Sequence, residues 1–74
     1  MKNKIPLYKL PAGIRILLIS LDPDDARYDE KEKYEGKIYT SNKNPEYFST
    51  SFIMEEDGEE YVHAGNPKYK ILKP

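Results

Sequence analysis

Short stretches rich in β-branched and aromatic residues run along most of the chain, several of them with an apolar–polar period of two residues, and both features predict β-strands. Five such stretches are separated by turn-forming residues, at 14–21, 36–41, 47–54, 60–64 and 69–72. Helical periodicity is poor, because the one stretch of helical composition, residues 24–35, has almost no apolar stripe. The pattern therefore predicts an all-β domain with a long, charged, solvated loop after the first strand.

The first predicted strand carries apolar side chains on both faces. Alternate residues point in opposite directions, one set being Ile14, Ile16 and Leu18 and the other Leu17, Ile19 and Leu21. A strand of this kind is usually covered on both sides. We therefore expect residues 1–10 or a second copy of the chain to cover the face with Leu17. The predicted core consists of the face of this strand with Ile14, Ile16 and Leu18, together with Ile38, Phe48, Phe52, Met54, Val62 and Ile71.

The dipeptide Asp57-Gly58 predicts the turn of a β-hairpin between the third and fourth strands. A two-residue loop would turn Tyr61 and His63 towards the core. A three-residue loop, with the glycine in a left-handed conformation, would turn Val62 inwards instead. The second register keeps the polar groups outside, so it is the one we expect.

Composition limits the kind of site that the chain can build. It has 74 residues, a formal net charge of −1 and no Cys. A domain of this size has more room for a surface site than for an enclosed cavity. Without Cys it has no disulfide and no Cys-ligated zinc, which suits a reducing cytoplasm. The longest apolar stretch, residues 14–21, is too short for a membrane span, so we expect a cytoplasmic protein without cofactors.

The order of the predicted strands resembles that of small SH3-like modules of the KOW type. The segments that carry the resemblance are "PAGIRILLISL", "YEGKIYT", "STSFIMEEDGEEYV" and "YKILK". In those modules a Gly precedes the first strand, a Gly-x-Ile/Val step opens the second, and an Asp-Gly turn joins the third to the fourth. The resemblance implies a single five-stranded SH3-like barrel over residues 11–73, with residues 1–10 packed on it as an N-terminal arm.

Four acidic residues and one tyrosine lie close together at the predicted hairpin, and we place a candidate protein-binding site there. Its residues are Glu55, Glu56, Asp57, Glu59 and Tyr61. Tyr is enriched at interface cores, and acidic groups steer a basic partner. The chain is also similar in size to small prophage-encoded SH3-like proteins, which implies a modulator or inhibitor of a host protein. We therefore expect a non-enzymatic module with a protein partner, as a monomer or a homodimer.

The alternative is a module that binds single-stranded RNA or DNA. Its candidate residues are Lys37, Tyr39, Lys43 and Tyr47. Basic groups follow a nucleic-acid backbone while aromatic rings stack on its bases. KOW-type modules are often used in this way, so the resemblance implies this function too. It requires the four side chains to share the outward face of the second and third strands.

Enzymatic chemistry has less support in the sequence. The segment Leu21-Asp22-Pro23 is similar to one in the MazF-type toxin ribonucleases, but Gly36-Lys37 stands where those enzymes have an Arg-Pro pair. The chain has one histidine, His63, which rules out a His-rich metal site and is expected on the strand surface. The acidic run 22–25 lacks the spacing of a calcium loop. We therefore expect no catalytic residues and no metal site.

Overall fold

The computed structural model describes residues 7–46 and 50–72, in which one antiparallel sheet dominates. Its strands are β1 (Arg15–Ser20), β2 (Ile38–Asn42), β3 (Ser51–Met54), β4 (Glu60–Tyr61) and β5 (Lys68–Ile71). Their order across the sheet is β4-β3-β2-β1-β5. Short 3₁₀ helices cover Leu7–Lys9 and Tyr28–Lys33, the second broken at Glu30. The prediction of an all-β chain is confirmed, and the topology is compatible with an SH3-like fold.

The core lies against one face of this sheet, which we call the inner face. The buried hydrophobic side chains that the strands contribute are Ile16, Leu18, Tyr39, Phe52, Met54 and Tyr69. Leu7, Leu10 and Leu21 complete the same cluster. The Oγ1 of Thr50 donates to the Leu10 carbonyl at 2.7 Å, which ties the segment before β1 to the segment before β3. Leu7 and Leu10 belong to this cluster and Leu17 does not, so the described part of the segment before β1 packs on the inner face and not on the face of Leu17, where it was expected. Residues 1–6 lie outside the described residues.

The facing of β2 is opposite to the one predicted. Ile38 is paired with Leu17 on the outer face, and Tyr39 is paired with the buried Ile16. Tyr39 can be buried because its hydroxyl donates to the Tyr34 carbonyl at 2.8 Å, so the ring enters the core without an unpaired polar atom. The prediction of Ile38 as a core residue is therefore wrong.

The facing of β4 also differs from the expected register. Phe52 is paired with Tyr61 and Ile53 with Glu60, so Tyr61 lies on the inner face. Val62 is only partly buried and does not belong to the core cluster. The prediction of an inward Val62 is wrong. The reason is that Met54 is bonded to Glu59, which leaves four residues, 55–58, in the loop. A loop of four residues, like one of two, turns Tyr61 to the face of Phe52, whereas a loop of three would turn Val62 there.

Local hydrogen bonds set the length of this loop. The N–H of Gly58 donates to the Met54 carbonyl at 2.8 Å, and the N–H of Met54 donates to the Glu59 carbonyl at 3.0 Å. The Asp57 carboxylate accepts the N–H of Glu59 at 2.8 Å. Gly58 has a φ of 70°, the left-handed conformation predicted for it.

Two further core predictions fail at the ends of strands. Leu21 was expected on the face of Leu17, but a register shift between Leu18 and Ser20 turns it inwards, and it is 3% exposed. Ile71 was expected in the core but is 48% exposed at the sheet edge. Phe48 lies outside the described residues. Within the described ranges, no helix has the length and apolar character needed to cross a membrane.

Candidate functional site

The predicted protein-binding residues come together in one exposed turn. Glu55, Glu56, Asp57 and Glu59 are all exposed, and they connect β3 to β4. Tyr61 joins them, because its hydroxyl donates to the Asp57 carboxylate at 2.8 Å. Burial, together with this carboxylate, raises the pKa of Tyr61 to about 12, so its hydroxyl stays a donor. We call these five residues the acidic turn.

Two basic side chains, one on β1 and one immediately before β2, balance part of the negative charge of the acidic turn. Arg15 Nε lies 2.7 Å from Glu55 Oε2, and Lys37 Nζ lies 2.7 Å from Glu56 Oε1. Both pairs are partly exposed to solvent, where an ion pair contributes about 0–1 kcal/mol. Among the described residues, Asp57 and Glu59 have no ion pair. The turn therefore keeps net negative charge on the side of Asp57 and Glu59.

The residues predicted to bind nucleic acid do not form one outward face. Tyr39 is 0% exposed, and burial raises the pKa of its hydroxyl far above the ordinary value. Lys37 is paired with Glu56, while Lys43 Nζ donates to Thr50 Oγ1 at 2.9 Å. Tyr47 lies outside the described residues. The expectation of an outward Tyr39 is wrong, because this ring belongs to the core and has no free face for a base.

Two acidic residues of the predicted solvated loop fasten it to the segment before β5. The Asp25 carboxylate accepts the N–H of Arg27 at 2.8 Å and the N–H of Ala64 at 2.9 Å. Asp22 accepts the N–H of Asn66 at 2.7 Å, and this bond is the main reason that its pKa is lowered. The side chain of Asp25 is only 2% exposed. These carboxylates are therefore structural, although the sequence indicated a solvated loop.

The guanidinium group of Arg27 is surrounded by two aromatic rings, a backbone carbonyl and a carboxylate of the same chain. Its guanidinium carbon lies 5.6 Å from the centre of the Tyr34 ring and 5.5 Å from that of Tyr61. Its Nη2 donates to the Val62 carbonyl, and its Nε lies 3.8 Å from Asp25 Oδ1. Cation–π contacts with partly desolvated rings are worth about 1–2 kcal/mol. Arg27 therefore holds the charged loop against the end of β4.

His63 lies beneath this arrangement, with its side chain 0% exposed. Its ring stacks on Phe52 at 5.8 Å between centroids and meets the edge of Tyr39 at 5.2 Å. Its Nδ1 is 4.0 Å from Asp25 Oδ2, and neither ring nitrogen has a hydrogen-bond partner among the described residues. Burial and the charge of Arg27 lower its pKa to about 4, against the opposite effect of Asp25.

His63 therefore acts at neutral pH as an uncharged aromatic core residue. The expectation of a surface histidine is wrong, and its ring has no access to a substrate in solution. The available signal was its position two residues after Tyr61, which an extended chain turns to the same side once the facing of the hairpin is known. Among the described ranges, no group of three His, Asp or Glu side chains is placed to hold a metal ion.

Acid is expected to destabilise the chain through His63. The unfolded state takes up a proton on this ring below its ordinary pKa of 6.5, whereas the folded state does so only below about 4. The free energy of unfolding should therefore fall as the pH falls from 6.5 to 4, by about 3 kcal/mol in all. The groups that face the ring are Asp25, Arg27, Tyr39 and Tyr61. Urea unfolding at a series of pH values measures the effect.

The matched variant is His63→Phe, which keeps a flat aromatic ring against Phe52 and does not titrate. Its stability should change much less between pH 6.5 and 4, while carboxylates with a lowered pKa, such as Asp22 and Glu60, act in both proteins. Parallel pH profiles for the two proteins would contradict this role of His63.

The acidic turn is assembled and exposed, the predicted nucleic-acid face is not assembled, and His63 is enclosed. In comparisons with protein-family models, with curated proteins and with solved structures, nothing matches this chain.

Proposed function

We propose that the chain is a small, non-enzymatic module with the architecture of an SH3-like barrel, and that its acidic turn binds a basic segment of a partner protein. The observation that carries this proposal is the assembly of the turn. The residues Glu55–Glu59 form one exposed loop, and Tyr61 is joined to it by a hydrogen bond to Asp57. The strand order and the long loop after β1 support the barrel.

A basic partner would be held by exchange of ion pairs and by contact with an aromatic ring. Arg15 and Lys37 are joined to the turn by exposed pairs, which a Lys or Arg of the partner can replace at little cost. Asp57 and Glu59 add carboxylates that have no ion pair among the described residues. The partly exposed ring of Tyr61 offers the apolar and cation–π contacts that anchor basic side chains.

Single-stranded nucleic acid has less support as the ligand. Stacking needs an accessible ring, and Tyr39 is buried. The two described lysines of that site, Lys37 and Lys43, already contact side chains of the chain itself. The resemblance to small prophage-encoded proteins further suggests that the partner is a host protein whose activity the module changes.

Charge reversal in the turn tests the proposal. The probe is a fluorescent peptide rich in Lys and Arg, and its anisotropy is measured with the wild type and with Glu56→Lys/Glu59→Lys. We expect the variant to bind the peptide at least about tenfold more weakly, since like charges now face the ligand. The affinity of the wild type should also decrease with added salt.

The matched control is Asp29→Lys/Glu32→Lys, which makes the same change in net charge on the exposed 3₁₀ helix Tyr28–Lys33. It should bind like the wild type or nearly so. Equal losses in both variants would reduce the effect to net charge and contradict a site at the turn. Tighter binding of a single-stranded oligonucleotide than of the peptide would favour the alternative ligand.

A further inference from the structure

The outer face of the sheet has an apolar centre between a basic side and an acidic side. In one row across the strands, Lys70 of β5 is paired with Leu17 of β1, and Leu17 is paired with Ile38 of β2. The N–H of Glu55 donates to the Ile38 carbonyl at 2.9 Å, so Glu55 continues the row beyond β2. The row therefore reads base, apolar, apolar, acid.

The next row on the same face also runs from a base to an acid, with Thr40 and Ile53 between them, but it begins one strand further across the sheet. Register places Arg15, Thr40, Ile53 and Glu60 side by side on β1 to β4, again with the base at one end and the acid at the other. Ile19, which is 50% exposed, extends the apolar centre along β1. Leu17, Ile38 and Ile53 are only partly buried and lie outside the core cluster. An apolar stripe thus reaches the surface between opposite charges.

We propose that the outer faces of two copies of this chain meet about a two-fold axis that runs parallel to the strands, between β1 and β2. This rotation reverses the order of a row and keeps its position along the strands. Lys70 then faces Glu55 of the second copy, and Leu17 faces its Ile38. Because the contact is isologous, each of these pairs forms twice and the assembly closes as a dimer. The dimer is inferred from the outer face alone and not from the proposed function, although Glu55 belongs to both surfaces.

Charge complementarity selects a second copy as the occupant of this face. Lys70 and Glu55 lie three strand spacings apart, about 14 Å, so they do not pair within one chain. Among the described residues Lys70 has no ion pair. Arg15 donates to both carboxylate oxygens of Glu55, but the Glu55 side chain is 44% exposed, so a second cation can reach it. A partner of one sign would meet attraction on one side of the face and repulsion on the other. A second copy meets attraction on both sides.

The dimer should be weak. The face is only a few strands wide, so we expect it to bury less than the roughly 1,200 Å² at the lower limit of a standard interface. We therefore expect dissociation on the order of 0.1 mM, measured by sedimentation velocity from about 10 µM to about 1 mM. The wild type should shift from monomer to dimer over this range.

A charge exchange gives the decisive test. Lys70→Glu alone opposes two carboxylates in the dimer, and Glu55→Lys alone opposes two ammonium groups, so each variant should stay monomeric. In an equimolar mixture of the two, Glu at position 70 of one chain faces Lys at position 55 of the other, and the second pair keeps its native charges. The mixture should regain the dimer to within about threefold of the wild-type affinity.

The control pair is Glu32→Lys and Lys33→Glu on the 3₁₀ helix Tyr28–Lys33, where both proteins should dimerise like the wild type. Circular dichroism confirms that all variants fold. A wild type that is monomeric at about 1 mM overturns the proposal. So does a mixture that stays monomeric, and so does association that survives both single variants, since it would use another surface.

Discussion

Replacing Asp25 with Ala is expected to lower the free energy of unfolding by about 3–5 kcal/mol, because it removes one partner from a buried charged contact. The N–H groups of Arg27 and Ala64 lose their acceptor, and the guanidinium of Arg27 loses the carboxylate that lies 3.8 Å from its Nε. The carboxylate is almost fully enclosed, so water does not replace these contacts readily. Urea unfolding at pH 7 gives the change directly.

Two further variants separate the hydrogen bonds from the charge. Asp25→Asn keeps an acceptor oxygen and loses the negative charge, so its cost should be smaller, about 1–2 kcal/mol. Asp24→Ala changes an exposed neighbour on the same loop and should alter stability by less than about 0.5 kcal/mol. Similar losses for Asp24→Ala and Asp25→Ala would show that the enclosed carboxylate has no special role.

Replacing Tyr39 with Ala is expected to cost about 3–5 kcal/mol, the usual range for deleting a buried aromatic side chain. The ring is 0% exposed and is surrounded by His63 and Tyr61 as well as by apolar side chains. Tyr39→Phe keeps the ring and leaves the Tyr34 carbonyl without this donor, so we expect a loss of about 1 kcal/mol. Thermal or urea unfolding of the three proteins checks both values.

The same pair of variants decides between the two facings of β2. If Tyr39 pointed outwards, as its place in a Lys/Tyr face required, Tyr39→Ala would change stability by less than about 1 kcal/mol. Such a result would contradict the buried position. Titration of Tyr39→Phe with an oligonucleotide then measures binding by a protein that is still folded. Tyr39→Ala is unsuitable for this measurement, because its loss of stability would itself reduce binding.

The strands themselves could be predicted from the sequence, since the signals for strands and turns are local. The β-branched apolar run 14–21 and the short segment 69–72 identified β1 and β5, and Asp57-Gly58 identified the turn between β3 and β4. The acidic turn could be found for the same reason, because its residues are almost contiguous in the chain. Its ion pairs with Arg15 and Lys37 could not, because both bases are far from the turn along the chain and only the folding of the sheet brings them near it.

The facing of β2 and β4 could not be predicted, because their residues are ambiguous. Tyr and His carry a flat apolar ring and polar atoms together, so alternation alone does not say which of Ile38 and Tyr39 is buried. The choice is made by partners elsewhere in the chain. The Tyr34 carbonyl accepts the hydroxyl of Tyr39, and the loop that holds Arg27 encloses His63. The alternation of apolar and polar residues predicts that Tyr39 and His63 point to solvent, but both are buried.

The carboxylates of Asp22 and Asp25 join segments that are far apart along the chain, with separations of 44 and 39 residues. Closing a loop of that length has a large entropic cost, but the pairing of β1 with β5 already brings these ends together. Once β1 and β5 are paired, Asp22 and Asp25 can form their hydrogen bonds without the entropic cost of closing another long loop. We therefore expect these contacts to form after the folding transition state. Asp25→Asn should then speed unfolding while leaving the refolding rate almost unchanged in a chevron plot.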